Sequence, residues 1–206
     1  MDSPAHPQLY LITPPSFELG AFPDLLAQVL DAHPVACVRL AMASKDEDNQ
    51  ARAADALREK THARDVALVI TQHYKLAQRL GLDGVHLDDG ARSVRAARKE
   101  LGEDAIVGAY CGQSRHDGMA AGEHGADYVS FGPVQPSNLG DGSFAEADLF
   151  QWWSEVIEVP VIAEGALDTA HATALADTAD FIALGEEIWG TADPVQTLGA
   201  YLDALR

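Results

Sequence analysis

The sequence predicts an α/β fold of one domain, residues 1–206: a single (β/α)8 barrel of the TIM type. Three observations carry this. Eight strand-like segments alternate with eight helical patterns, each pair averaging about 26 residues, the spacing of short connections in a compact domain. Segments such as VALVI at 66–70 and DYVSF at 127–131 are near-continuous apolar runs, which parallel strands covered by helices on both faces require. No linker, low-complexity tract or composition break divides the chain, and a barrel can exceed 200 residues as one unit. Right-handed crossovers close eight such units into a cylinder. A doubly wound open sheet is the alternative. It normally has fewer strands, and no GxGxxG follows the first strand here.

The first strand is LYLIT at 9–13, closed by Pro14-Pro15. A helix over 22–32 follows, with Phe22, Leu25, Leu26, Val29 and Leu30 on one face and Pro34 beyond its end. Strand two is 35–40, and the polar, alanine-rich stretch 46–60 is a solvent-facing helix. Strand three is 66–70, and the helix 73–80 stops at Gly81. Strand four is 84–87, with a helix over 91–101 ended by Gly102. Strand five is 105–109, followed by a helix at 114–124; strand six is 127–131. A helix at 144–156, strand seven at 159–163 and a helix at 168–177 come next. Strand eight, 181–184, and a closing helix, 193–205, complete the chain.

Strand six and its sequel, GADYVSFGPVQPS at 125–137, organise the rest. Gly132 admits a close approach of backbone to a bound group, and Pro133 forbids continuation of the ladder. The stretch 134–143 is polar and long for a loop in a compact domain, which points to function or disorder.

Charge and cysteine usage narrow the function classes. The formal net charge is −18, which repels nucleic acid and anionic membranes. Cys37 and Cys111 lie in apolar runs, so no disulfide framework is implied and a reducing compartment fits. MDSPAHPQ is not a signal peptide, and no apolar run reaches spanning length. The expected address is the cytoplasm.

Active sites of such barrels lie at the C-terminal ends of the strands, and side chains alternate along each strand. Cys37, Arg39, Ala41 and Ala43 are then inward on strand two, His86 and Asp88 on strand four, and Ile162 and Glu164 on strand seven. Thr71 ends strand three, Cys111 follows strand five and Gly185 ends strand eight. A guanidinium inside a barrel needs a counter-charge. Arg39 is either an anchor for a phosphate or carboxylate or half of an ion pair with Asp88 or Glu164. His86 is a general base, a ligand or a hydrogen-bonded core residue. Asp88 and Asp89, with Glu164, are candidate metal ligands; alternatively the aspartate pair caps the helix near Ala91. Cys111 has no evident histidine and acid to activate it. Glu186-Glu187, after Gly185, would repel a phosphate at that helix start or face solvent.

Four segments, LYLIT at 9–13, GLDGVHL at 81–87, GADYVSFGPV at 125–134 and PVIAEGAL at 160–167, together resemble the thiamine phosphate synthase superfamily, which includes thiazole tautomerase-like proteins. The resemblance spans nearly the whole chain, and GVHL with GADYVSFGP in this order is fairly specific. It implies a (β/α)8 barrel of thiamine biosynthesis. Synthases of the family join hydroxymethylpyrimidine diphosphate to thiazole phosphate, releasing diphosphate with Mg2+. By resemblance, the partner is a small phosphorylated heteroaromatic ligand and the cofactor is Mg2+. His86, Arg39, Thr71, Gly132, Pro133, Ser137, Glu164, Gly165 and Gly185 line the mouth, with Asp88 and Asp89 nearest to a metal. Whether barrels associate as a homo-oligomer stays open.

Several positions depart from the family pattern. The family ends its second strand Gln-Leu-Arg-Glu-Lys, where this chain has Arg39-Leu40-Ala41-Met42-Ala43. Thr71-Gln72 stands for Asn-Asp, with its metal aspartate, and Asp88-Asp89-Gly90-Ala91 for Gly-Gln and a second one. After strand six Ser137 keeps one hydroxyl, while Leu139 and Gly140 replace the threonines and lysine that hold phosphate. Glu164-Gly165 stands for a Gly-Gly pair, Gly185 for a serine, and Cys111-Gly112-Gln113 where tautomerase-like members carry a histidine, with His116 nearby. The expectation is a divergent synthase-like protein of weak or altered activity. The alternatives are a non-catalytic ligand-binding or regulatory barrel, and an isomerase using His86 or His116 with Asp88 or Glu164.

Overall fold

In a computed structural model, described over residues 6–135 and 143–206, eight parallel strands close in sequence order into a barrel. The strands are β1 (Gln8–Ile12), β2 (Cys37–Leu40), β3 (Ala67–Thr71), β4 (Gly84–Leu87), β5 (Ile106–Tyr110), β6 (Tyr128–Phe131), β7 (Val161–Ala163) and β8 (Phe181–Leu184). The last pairs with the first, Tyr10 opposite Ala183. Helices α1 (Phe22–Ala32), α2 (Glu47–His62), α3 (Tyr74–Leu80), α4 (Val94–Leu101), α5 (Arg115–Glu123), α6 (Ala147–Val156), α7 (Thr169–Ala174), α8 (Glu186–Trp189) and α9 (Pro194–Ala204) follow the strands, α8 and α9 both after β8. No helix among the described residues is long and apolar enough to cross a membrane.

Two apolar clusters follow from the strand alternation. Outward residues such as Val38, Leu40, Val85 and Leu87 join the helices in the larger one. Inward residues Tyr10, Cys37, Val69, Tyr128, Ile162 and Ala183 fill the cylinder. The expected strand faces therefore stand. The cylinder holds two tyrosines because β5 opposite them carries a glycine: a Cβ on Gly108 would lie 2.0 Å from Tyr128 Cζ.

The lower rim repeats one device. Asp83, Asp127 and Asp180 each stand just before an even-numbered strand. Their carboxylates accept from Leu68 N (2.7 Å), Val107 N (2.7 Å) and Val161 N (2.8 Å) on the strand before. Each aspartate also donates its own N–H to the carbonyl of that same residue. Three staples of one geometry thus tie β3 to β4, β5 to β6 and β7 to β8. Four helix starts are capped in the usual way, Asp46, Ser114, Asp168 and Asp193 accepting from the N–H three residues on.

Some boundaries differ from the sequence reading. The helix expected from residue 91 starts at Val94, since Gly90 turns through a left-handed φ of +64°. Asp89 does not cap it: its Oδ2 accepts from Ser93 Oγ at 2.6 Å within the turn. The helix expected from 144 starts at Ala147, because Glu146 is extended and Ala145 N donates to Pro133 O at 2.8 Å. The four-residue helix α8 was not expected as an element; it is too short to show a helical period.

Candidate functional site

The upper end of the cylinder is closed by an ion pair. Arg39, on β2 opposite Ile12, reaches across to Glu164 just beyond β7. Its Nη2 donates to Glu164 Oε2 at 2.6 Å, and the two side chains are 9% and 2% exposed. Ser130 Oγ, on β6, donates to the other carboxylate oxygen at 2.7 Å. Both Glu164 oxygens are therefore engaged within the protein. Burial opposes the charge on Arg39, but the Glu164 carboxylate outweighs it and holds its pKa above the ordinary value. Of the two readings of Arg39, the geometry is that of the buried pair, and the partner is Glu164 rather than Asp88.

Below the pair runs a hydrogen-bonded chain. His86 Nδ1 lies 3.0 Å from Tyr128 Oη, and Tyr128 Oη 2.9 Å from Tyr10 Oη. His86 is 1% exposed. Burial first, then the Arg39 charge, depresses its pKa well below the usual range, so the ring is neutral. Its Nε2 has no hydrogen bond and faces Glu164 Oε1 at 3.9 Å. A carboxylate on that side favours the Nε2–H tautomer, with Tyr128 donating to Nδ1. The reading of His86 as a hydrogen-bonded core residue fits this geometry.

The depressed pKa has a consequence for stability. Below an unfolded pKa of about 6.5 the unfolded chain takes up a proton that the folded ring resists. His86 should thus cost up to about 1.4 kcal/mol for each pH unit below 6.5, and nothing above it. Denaturant unfolding at pH 7.5, 6.0 and 5.0 checks this. The His86→Asn variant should lose stability less steeply than the parent over that interval.

The loop residues are placed as follows. Thr71 ends β3 with its hydroxyl buried and unpartnered. Gly132 is glycine for packing rather than ligand access: a Cβ there would lie 2.2 Å from Glu164 O. The Gly132–Pro133 peptide is cis, and Tyr110 Oη donates to Gly132 O at 2.7 Å. Gly165 has a left-handed φ of +94°, and its carbonyl accepts from Val134 N and Gln135 N. Gly185 starts α8, and its N–H already donates to Glu187 Oε2 at 2.8 Å. A carboxylate of the chain itself thus takes the donor that a phosphate would use. Cys111 is buried, and burial pushes its thiol up to about 12, which removes the thiolate a nucleophile needs. His116 is exposed on α5. Ser137, Leu139 and Gly140 lie outside the described residues.

Mg2+ is the cofactor that the resemblance implies, and Asp88 and Asp89 are the carboxylates this chain offers it. A hard divalent ion keeps near-octahedral oxygen coordination with one or two carboxylates supplied by protein. Asp89 gives its Oδ2 to Ser93 and keeps Oδ1 buried without a partner, while Asp88 lies on the mouth. Burial and then the Asp89 charge raise the Asp88 carboxyl above its usual pKa, which weakens it as a ligand.

Asp88 instead opens onto a cavity of about 200 Å³ above the ends of β2 and β3. Leu40, Ile70, Gln50, Thr71 and Asp88 line it, with Lys45, Gln72 and His73. Gln50, Lys45 and His73 were missed at the sequence level. Gln50 sits on a helix read as solvent-facing, yet it is 5% exposed. A glutamine on the alanine face of that helix, beside Ala53, Ala54 and Leu57, was the available signal.

Comparison with known proteins follows the geometry. The family model for thiamine monophosphate synthase matches residues 9–188. The chain is 42% identical over 184 residues to the thiamine-phosphate synthase of Rhodospirillum centenum, covering 88% of this chain and 89% of that one. It is 38% identical over 188 residues to that of Erythrobacter litoralis, with 88% of each covered. Among solved structures, thiamine phosphate pyrophosphorylase from Pyrococcus furiosus superposes with a TM-score of 0.80 over 97% of both chains, at 21% identity. At that identity the superposition speaks for the barrel.

Proposed function

The chain belongs to the thiamine monophosphate synthase family, and on that premise we propose that its barrel mouth takes a small phosphorylated heteroaromatic ligand, with synthase turnover that is weak or altered. The ligand would sit above the Arg39–Glu164 pair, against Thr71, with Gly132, Pro133, Gly165 and Gly185 as the surrounding loop positions; His86, buried beneath the pair, would support it from below, and Ser137 enters by resemblance alone. In the family's reaction a C–O bond breaks, diphosphate leaves with both electrons, and a thiazole nitrogen attacks the resulting cation. The departing group is strongly anionic, so its release needs cations that meet it.

One observation carries the weak-turnover part. Arg39 is the one buried lysine or arginine among the described residues, and its charge is already compensated by Glu164. Ala41 and Ala43 stand where the family pattern has arginine and lysine, and Lys45 is an exposed rim residue. Each missing contact of this kind is worth about 3 kcal/mol in the transition state, so two amount to roughly 10⁴-fold in rate.

The test is a steady-state assay of thiamine phosphate formation from hydroxymethylpyrimidine diphosphate, thiazole phosphate and Mg2+. The expected kcat lies about 10⁴-fold below that of the Rhodospirillum centenum relative measured alongside. Ala41→Arg with Ala43→Lys and Gln72→Asp should raise it. Gln72 already holds a left-handed φ of +66°, which aspartate tolerates. Parent turnover equal to the relative's would overturn the weak-turnover reading. Failure of thiazole phosphate to raise the melting temperature would overturn the ligand class.

A further inference from the structure

The charges of this chain are segregated around the barrel. Residues 39–115, which run from β2 to the start of α5, carry 13 lysines and arginines against 12 aspartates and glutamates. The rest of the chain carries one against 20. Because the strands close in sequence order, the net charge of −18 lies entirely on one half of the wall, from α5 round to α1. We propose that an anionic ligand reaches the mouth over the opposite half, steered by Lys75, Arg92 and Arg95 at the starts of α3 and α4. This rests on the reading that the ligand is phosphorylated, and it concerns the path of approach, not the pocket.

The three cations stand outside the positions given to the ligand. Lys75 and Arg95 are each the second residue of their helix, and Arg92 lies in the turn before α4. Helices start on the mouth side, where the strands end, so all three flank it. Each is exposed, and none is in an ion pair among the described residues. The surface pairs use Arg58, Lys60, Arg64, Arg79, Arg98 and Arg206. Cations at a helix start oppose the helix dipole, whose positive end favours carboxylates. Neither α3 nor α4 has an acid in its first turn. Elsewhere the favourable arrangement holds: α6, α7, α8 and α9 start with Asp148, Asp168, Glu186 and Asp193. Helix stability therefore does not account for the cations.

The rim charges set the direction. Asp88 and Asp89, on the loop before α4, leave this sector one charge positive, while residues 116–205 hold no lysine or arginine. Over that half a phosphate meets carboxylates alone. The neighbouring rim cations add little: Lys45 is followed by Asp46, Glu47 and Asp48, and Arg115 is stacked on Trp152. Charges within a Debye length of about 8–10 Å act on a ligand before contact. Such fields change association rates by about 10- to 1000-fold without any new contact in the bound state.

Stopped-flow association of thiazole phosphate with the full chain, beside its uncharged alcohol, tests this. Arg92→Glu with Arg95→Glu should slow association of the phosphate about tenfold near about 0.01 M salt, leaving its dissociation and the alcohol unchanged. The difference should vanish near about 1 M salt, where screening is complete within about 3 Å. Lys99→Glu with Arg206→Glu makes the same change of net charge at the far ends of α4 and α9, and should do little. The first pair puts carboxylates at a helix start, so its melting temperature should not fall. Equal slowing by the two pairs, or none by either, would overturn the proposal. If thiazole phosphate does not bind at all, the ligand class has failed and the route is decided without it. Anionic and cationic nitroxide cosolutes then report the local potential through the relaxation of backbone amides. The anionic probe should be favoured over the cationic one at residues 75–95 relative to residues 146–193. An equal ratio on the two halves would overturn the steering.

Discussion

Glu164→Ala should lower the unfolding free energy by about 3–5 kcal/mol, the cost of stranding a buried charge whose partner has been removed. For a chain of this length that is about 6–20 °C in melting temperature. The reason lies in the geometry. Arg39 is 9% exposed at its side chain and bonded to Glu164 at 2.6 Å. Its Nε has no other partner. Without Glu164, Ser130 Oγ also loses its acceptor. Replacing both charges, Arg39→Met with Glu164→Leu, should recover most of the loss, because a well-packed apolar pair is often as stable as the ions it replaces. Thermal and denaturant unfolding of the two single variants and the double one form the cycle that checks this. Additive losses would show that the pair is not coupled. The same cycle bears on function: if Arg39 held a phosphate and little else, Arg39→Ala would leave stability nearly intact.

Gly108→Ala should be equally severe. A Cβ there falls 2.0 Å from Tyr128 Cζ and 2.4 Å from its hydroxyl. Overpacking of a core typically costs 1–3 kcal/mol, and more where nothing can yield. Here the ring is fixed at both ends of its hydroxyl, to His86 and to Tyr10, so about 3 kcal/mol or more is expected. Gly108→Ala with Tyr128→Leu should restore part of it by freeing the space. A Gly108→Ala variant as stable as the parent would mean that the tyrosine is not held as described.

The fold was legible because it rests on periodicity, which a single chain displays. Apolar runs such as VALVI gave the strands, and Phe22, Leu26, Val29 and Leu30 the first helix, whose ends match the structure. Boundaries slipped where a local turn intervened, as at Gly90 before α4. The site was legible in part. Alternation along β2, β4 and β7 placed Arg39, His86 and Glu164 inside, and the ion pair was one of two readings of Arg39. The tyrosine chain beneath was not foreseen: Tyr10 and Tyr128 read as ordinary strand formers, and only barrel closure brings residues 118 positions apart into contact. Gln50 escaped because strand arguments do not reach a helix face.

The three aspartate staples have a bearing on how this chain can change. They grip the strands at the end away from the mouth through backbone of the neighbouring strand, and Asp83 and Asp127 also meet His62 and Arg98 on the helices outside. Exchanges at positions 41, 43 or 72 touch none of them. The barrel is thus secured at one end and open to revision at the other, and a lineage that rewrites its chemistry need not first renegotiate its architecture.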